Sequence, residues 1–146
     1  MNLKDCPVPI YGDVKFRGVC ATEAVEQASF FGKLRRDYPD SWGILAVHPR
    51  NEGLLSGGQF HAIRKHKAEG MSPGASDIVI PGRPAFVCEL KRCNHTLSAW
   101  QDGQQAYLAA AKRAGAFACV ALGAEAAWHA FKEWLASQGG GNAGQR

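Results

Sequence analysis

Apolar residues recur with helical spacing in four parts of the chain. After Thr22, whose hydroxyl can N-cap a helix, they follow three or four positions apart as far as Tyr38, and Pro39 ends the pattern. Glu23 and Glu26 lie in the first turn, where carboxylates favour the positive end of the helix dipole. The same spacing predicts three more helices, over residues 59–69, 97–114 and 125–137.

Short apolar runs between the helices predict strands. These runs cover residues 44–47, 77–80, 85–91 and 117–122. The tight turn PGRP joins the second run to the third and favours a hairpin, whereas the long helix between the third and fourth implies a parallel crossover. The order of elements therefore predicts an α/β fold with a mixed central β-sheet flanked by helices.

The chain has the length of one domain, at 146 residues. Residues 1–20 are rich in proline and glycine and are predicted to form an extended arm with room for one short strand. Residues 21–137 are predicted to be the folded domain, and residues 138–146 a flexible tail.

Composition excludes several classes of protein. Hydrophobic residues make up 46% and charged residues 21%, which is typical of a globular protein rather than a disordered one. No apolar run approaches the roughly 18–20 residues that cross a bilayer, and the first residues lack the pattern of a signal peptide, so we expect a cytoplasmic protein. The five cysteines are odd in number and lack CxxC spacing, which argues against a disulfide framework or a zinc ribbon.

The net charge of +4 permits a polyanionic partner without requiring one. Basic side chains are concentrated in the predicted helix 59–69, where Arg64, Lys65 and Lys67 are candidate contacts to nucleic acid. Arg92 is a further candidate on the other side of the hairpin. A solvated helix face explains the same cluster, and the sequence leaves both interpretations open.

The sequence GASDIVIPGRPAFVCELK carries the candidate chemistry. Because side chains alternate along a strand, Glu89 and Lys91 share one face with Val87, while the other face is uniformly apolar. If the preceding strand pairs antiparallel, Asp77 falls near the same face. Two carboxylates converging at a strand end form a hard oxygen site suited to Mg²⁺ or Mn²⁺. A surface ion pair of Glu89 with Lys91, and a turn role for Asp77, is the alternative.

This stretch and the elements around it resemble the PD-(D/E)xK nuclease superfamily and, within it, the VRR-NUC family, especially its small stand-alone phage and bacterial members. Glu89–Lys91 matches the ExK sequence, and Asp77 the metal aspartate, with Ser76 where proline often stands. The basic helix with its glycine turn and the later segment LSAWQDGQQAYL are similar as well. The resemblance covers residues 22–122.

The resemblance implies a restriction-endonuclease-like PD-(D/E)xK core with a larger metal site. It adds Glu23, from the first predicted helix, to the metal ligands Asp77 and Glu89. The main-chain carbonyl of Cys88 or Leu90 is implied as a further ligand. Lys91 is then a catalytic residue that orients the attacking water or offsets charge in the transition state.

The resemblance also implies an active-site glutamine and an asparagine. Gln101 has the usual spacing from the Leu-Ser start of the segment, whereas Gln104 has the better spacing to Gly115 at the helix end and is preferred. The segment HPRNEG is similar to the family's strand-end segment, which makes Asn51 a candidate contact to nucleic acid.

The implied activity is that of a Mg²⁺- or Mn²⁺-dependent endonuclease that hydrolyses phosphodiester bonds in DNA, with branched, flapped or Holliday-junction-like DNA preferred. Duplex DNA and RNA stay open as substrates, and a phage-encoded member would act in the host cytoplasm. A homodimer would place two sites about a two-fold axis, as a four-way junction requires. The alternatives are a catalytically weak or inactive nucleic-acid-binding or regulatory protein and an enzyme of small phosphorylated metabolites, for which no Walker-type loop is present.

Overall fold

The computed structural model describes residues 1–49 and 60–138, and within them four strands and five α-helices. The strands are β1 (Ile10–Tyr11), β2 (Ile78–Ile80), β3 (Phe86–Lys91) and β4 (Phe117–Leu122). The helices are α1 (Glu23–Asp37), α2 (Trp42–Leu45), α3 (Phe60–Ala68), α4 (Gln104–Arg113) and α5 (Ala124–Ser137). Short 3₁₀ turns cover Leu3–Asp5 and His95–Leu97.

The strands form one mixed sheet in the order β1-β4-β3-β2. β2 and β3 pair antiparallel as the predicted hairpin, with Ile78 opposite Cys88. β3 and β4 pair parallel, with α4 as the crossover, and β1 adds a parallel edge strand beside β4. The predicted mixed sheet flanked by helices is therefore confirmed, and the N-terminal arm contributes one of its strands.

The two faces of the sheet carry separate cores. On one face, α1 and α5 pack on the even-numbered side chains of β3 in a cluster that includes Phe30, Phe131 and Trp134. On the other face, Leu108 of α4 and Val8 of the arm pack against β3 and β4. Phe131 and Trp134 of α5 are fully buried in the first core, and Trp128 packs against it half-buried.

The predicted strand over residues 44–47 is wrong. Trp42–Leu45 forms the short helix α2, in which Ile44 and Leu45 are exposed, and Val47 alone makes an isolated antiparallel bridge to Val79. A run of four apolar residues fits a strand and a helical turn equally well, so periodicity could not separate them.

The predicted helix over residues 97–114 begins later, at Gln104. Gly103 precedes it with a φ of +88°, a left-handed conformation that glycine adopts without strain, so the chain turns into the helix there. Residues 98–103 instead form the segment that passes over β3.

The C-terminal tail and Asn51 fall partly or wholly outside the described residues. Asn51 and residues 139–146 are not described, so neither prediction is tested there. Gln138, the first residue of the predicted tail, is buried and its side-chain amide bonds to the main chain of Arg83 and Pro84. In the described part of the chain, none of the helices combines the length and apolar character of a membrane span.

Candidate active site

Asp77 lies directly before β2, at the edge of the sheet where β3 extends beyond its partner. Its Oδ2 accepts a hydrogen bond from the N–H of Leu90 at 2.8 Å. The Nδ1 of His48 lies 2.9 Å from the Asp77 carbonyl oxygen and 3.9 Å from Oδ1. The side chains of Asp77 and His48 are 16% and 19% exposed, so this end of the site opens to solvent.

Glu89 is buried in β3, with 1% of its surface exposed. Its Oε1 accepts a hydrogen bond from Nε2 of Gln104 at 2.6 Å and lies 3.5 Å from Nζ of Lys91. Its Oε2 is buried without a hydrogen-bond partner among the described residues. An orphaned carboxylate oxygen in a buried position is unusual, because such atoms normally have a donor or a cation.

Lys91 is also 1% exposed, and its ammonium is held by three oxygens. Nζ donates to the carbonyl of Ala99 at 2.8 Å and to Oε1 of Gln104 at 2.9 Å, with Glu89 as its ionic partner. The ring of Trp100 lies over the ammonium at 5.5 Å, a cation–π contact. These contacts fix the ammonium beside the Glu89 carboxylate.

Gln104, the first residue of α4, bridges Glu89 and Lys91. Its amide nitrogen donates to Glu89 while its oxygen accepts from Lys91. Gln101 is exposed, and its backbone N–H donates to the same Gln104 oxygen at 2.9 Å. The structure therefore brings Gln104 into the cluster, and Gln101 contributes only its main chain.

Two glycines allow this arrangement. Gly74, in the turn before Asp77, touches Gly103 so closely that a Cβ on Gly74 would lie 2.1 Å from the Gly103 carbonyl carbon. Both have positive φ angles, which glycine adopts readily. The turn that presents Asp77 thus packs directly against the start of the helix that presents Gln104.

The two carboxyl groups influence each other strongly. Burial, and then the charge of Asp77, raise the pKa of Glu89 well above its usual value, although Lys91 opposes the change. Burial also raises the pKa of Asp77, against the hydrogen bond from Leu90. An ionised carboxylate only accepts hydrogen bonds, so Asp77 and Glu89 could bond to each other only if one of them carried a proton. A divalent cation would remove that requirement.

The donors present fit Mg²⁺ or Mn²⁺. Mg²⁺ is commonly held by one or two carboxylates and keeps several waters, which two carboxylates and a carbonyl can satisfy. The N–H and carbonyl of a strand residue point the same way. Because the Leu90 N–H donates to Asp77, the Leu90 carbonyl also faces the Asp77 side. Cys88, in contrast, is paired with Ile78 in the hairpin. Of the two carbonyls implied by the sequence, Leu90 is the better placed.

Glu23, at the start of α1, has a different partner. Its Oε1 accepts a hydrogen bond from the hydroxyl of Ser98 at 2.7 Å. In residues 1–49 and 60–138, no group of three or more His, Cys, Asp or Glu side chains is arranged to hold a metal ion. Asp77 and Glu89 thus form a pair that Glu23 does not join.

The candidate nucleic-acid contacts are arranged in two ways. Arg64, Lys65 and Lys67 are exposed on α3, where Lys65 lies 3.8 Å from Glu69 in a surface ion pair. Arg92 is half-buried, and its guanidinium donates to the carbonyls of Cys20 and Ala21 in the N-terminal arm. The α3 cations are accessible to a ligand, whereas the Arg92 side chain joins the arm to the end of β3.

Three features of the site were not predicted from the sequence. The Ala99 carbonyl is a main-chain atom and carries no signal in the residue type. The Ser98 hydroxyl belongs to the Leu-Ser pair that the resemblance singled out, but its bond to Glu23 depends on packing between elements 75 residues apart. His48, the first residue of the HPRNEG segment, contacts Asp77 directly.

Comparison with known proteins supports the fold. No family model matches the chain, and no curated protein does. A solved structure described as a VRR_NUC domain protein is similar, with a TM-score of 0.60 and 15% sequence identity, over 80% of this chain and 90% of that one. At this identity the likeness shows a shared α/β fold with a mixed sheet flanked by helices.

Proposed function

We propose that this protein is a metal-dependent nuclease of the PD-(D/E)xK type that hydrolyses phosphodiester bonds in DNA. The observation that carries the proposal is the pair of a half-buried Asp77 and a buried Glu89, with Oε2 of Glu89 lacking a donor among the described residues and the Lys91 ammonium 3.5 Å from Oε1. The likeness in fold to a VRR_NUC domain protein and the D…ExK sequence support the same conclusion.

Asp77, Glu89 and the carbonyl of Leu90 would hold Mg²⁺ or Mn²⁺. The cation would lower the pKa of a bound water and polarise the phosphoryl oxygens. Lys91 places a fixed positive charge beside Glu89, where it orients a water and offsets negative charge that develops on the phosphate. Gln104 holds the acid and the base in this geometry through its two amide bonds.

The substrate would enter on the side of Asp77 and His48, which is the more exposed end of the cluster. The exposed cations Arg64, Lys65 and Lys67 would contact the phosphate backbone, which supplies affinity without sequence preference. A preference for branched or flapped DNA follows from the resemblance alone and is part of the proposal.

The test is a cleavage assay on a panel of junction, flap, duplex and single-stranded DNA, with Mg²⁺, Mn²⁺ or EDTA. We expect cleavage of at least one substrate with a metal and none with EDTA. Asp77→Asn should lower the rate at least ~100-fold, about 2.7 kcal/mol of barrier. Asp40→Asn, at an exposed aspartate outside the cluster, is the matched control and should retain the parental rate.

Two results would contradict the proposal. Parent protein that cleaves no member of the panel with either metal, yet retards DNA in a gel, would indicate a nucleic-acid-binding protein on an inactive scaffold. Equal cleavage by parent and Asp77→Asn would show that the activity resides elsewhere or in a contaminant.

A further inference from the structure

A chain of two hydrogen bonds links the start of α1 to the end of β3. The Ser98 hydroxyl donates to Oε1 of Glu23 at 2.7 Å and accepts from the N–H of Arg92 at 3.0 Å. Ser98 is buried, at 8% exposed, and both bonds are partly buried.

The segment that Ser98 closes begins directly after Lys91 and ends directly before Ala99. Residue 92 directly follows Lys91, and its N–H meets the Ser98 hydroxyl. The next residue after Ser98 is Ala99, whose carbonyl accepts from Nζ of Lys91 at 2.8 Å. The Ser98 side chain therefore fixes both ends of the loop 92–98, and with them the carbonyl that holds the ammonium.

We propose that Glu23 is a positioning residue, acting through Ser98 to hold the Ala99 carbonyl against the Lys91 ammonium, and is not a ligand of the catalytic cation. The proposal rests on the nuclease function proposed above. It differs from what the resemblance implies, because Glu23 bonds to Ser98 and does not join Asp77 and Glu89 in a metal-binding group among the described residues.

The charge of Glu23 separates the two roles. In Glu23→Gln, the amide oxygen can still accept from the Ser98 hydroxyl, so a positioning role survives. A cation ligand would lose its charge in the same variant. Glu23→Ala and Ser98→Ala both remove the hydrogen bond, and Ser98→Thr retains a hydroxyl. Ser29→Ala, at an exposed serine of α1, is the matched control.

Two measurements are made on each variant of the full chain: Mn²⁺ affinity by isothermal titration calorimetry and the cleavage rate at saturating Mn²⁺ and DNA. We expect Glu23→Gln, Ser98→Thr and Ser29→Ala to stay within ~3-fold of the parent in both. Glu23→Ala and Ser98→Ala should bind Mn²⁺ as the parent does but cleave ~10-fold more slowly, because the ammonium loses its fixed position.

The double variant Glu23→Ala/Ser98→Ala should be no slower than Ser98→Ala, since Ser98→Ala already removes the bond to Glu23 together with the bond from Arg92. Additive losses would overturn the proposal. It would also be overturned if Glu23→Gln weakened Mn²⁺ binding ~10-fold or more, because that is the behaviour of a metal ligand. Thermal melts without metal identify any variant whose slower cleavage reflects unfolding. If Ser98→Ala unfolds, the cleavage rate of Ser98→Thr decides, because this variant retains the hydroxyl and should cleave as the parent does.

Failure of the nuclease function would be distinguishable. If the parent protein cleaves no DNA, the proposed function fails, but amide hydrogen exchange of the Arg92 N–H, which donates to the Ser98 hydroxyl, still tests the link. Faster exchange of this amide in Glu23→Ala than in Glu23→Gln would support positioning, and equal exchange would overturn it.

Discussion

The two faces of β3 are equally inaccessible but opposite in chemistry. Phe86, Cys88 and Leu90 are all 0% exposed and pack into the aromatic core beneath α1 and α5, whereas Glu89 and Lys91, at 1%, meet polar atoms beneath α4. Apolar side chains of similar volume would stabilise that second face at least as well, because buried charges lose hydration. In the proposed nuclease the polar face would serve chemistry, and the apolar face supplies stability.

Phe86→Ala should give the largest loss of stability, because it removes a ring that packs against Phe131 and Trp134 with centroids 6.3 and 5.5 Å away. We expect the free energy of unfolding to fall by about 3–5 kcal/mol in urea titration. Val25→Ala, at a residue that is 54% exposed, should change it by less than ~0.5 kcal/mol. A loss below ~1 kcal/mol in Phe86→Ala would mean that this face is not close-packed.

Gln104→Ala tests the polar face of β3, where the Gln104 side chain joins Glu89 to Lys91. The variant removes the bonds to Glu89 and Lys91, and we expect cleavage to slow ~10-fold, about 1.4 kcal/mol of barrier, with a smaller effect on unfolding. Gln101→Ala is the matched control three residues earlier and should keep the parental rate, because its side chain is exposed. Equal losses of cleavage rate in the two variants would mean that both glutamines serve the site. An unchanged rate in both would mean that neither does.

Much of this comparison was predictable from the sequence. Strict alternation in FVCELK separates the two faces, since the period of a strand is two, and the order of strands and helices predicts the mixed sheet. Counting back from Gly115 favoured Gln104 over Gln101, and the structure places Gln104 against Glu89 and Lys91.

The remainder depended on contacts between distant segments. The start of α4 was misplaced because Ala99 lies in the segment that passes over β3, and no local pattern shows that its carbonyl accepts from Lys91. Residues 44–47 were misassigned because four apolar residues suit either a strand or a helical turn. The hydrogen bond of Glu23 to Ser98 could not be inferred, because a glutamate in the first turn of a helix can equally well favour the helix dipole, bind a metal or bond to a serine.

The smallest expected difference between the two faces of β3 is in the pH dependence of the free energy of unfolding, to which the polar face contributes through Glu89. In the metal-free protein the pKa of Glu89 lies well above its usual value, for burial and the nearby Asp77 both disfavour the charged form. The folded state therefore binds more protons than the unfolded state above the ordinary pKa of a glutamate. The free energy of unfolding must then fall as pH rises through that window, by at most about 1.4 kcal/mol per pH unit for one proton.

Glu89→Gln should remove this slope without lowering stability at neutral pH, because the folded protein already favours the uncharged form of Glu89, which a neutral amide resembles. Urea titrations from pH 5 to pH 8 measure it, with Glu125→Gln, an exposed glutamate of α5, as the control that keeps the slope. Cation binding favours the ionised pair, so Mn²⁺ titration of the parent should release protons, and calorimetry in buffers of different ionisation enthalpy counts them. A parent whose stability does not fall across this range would show that the carboxyl pair is ionised in the folded protein, and the two faces of β3 would then not differ in their response to pH.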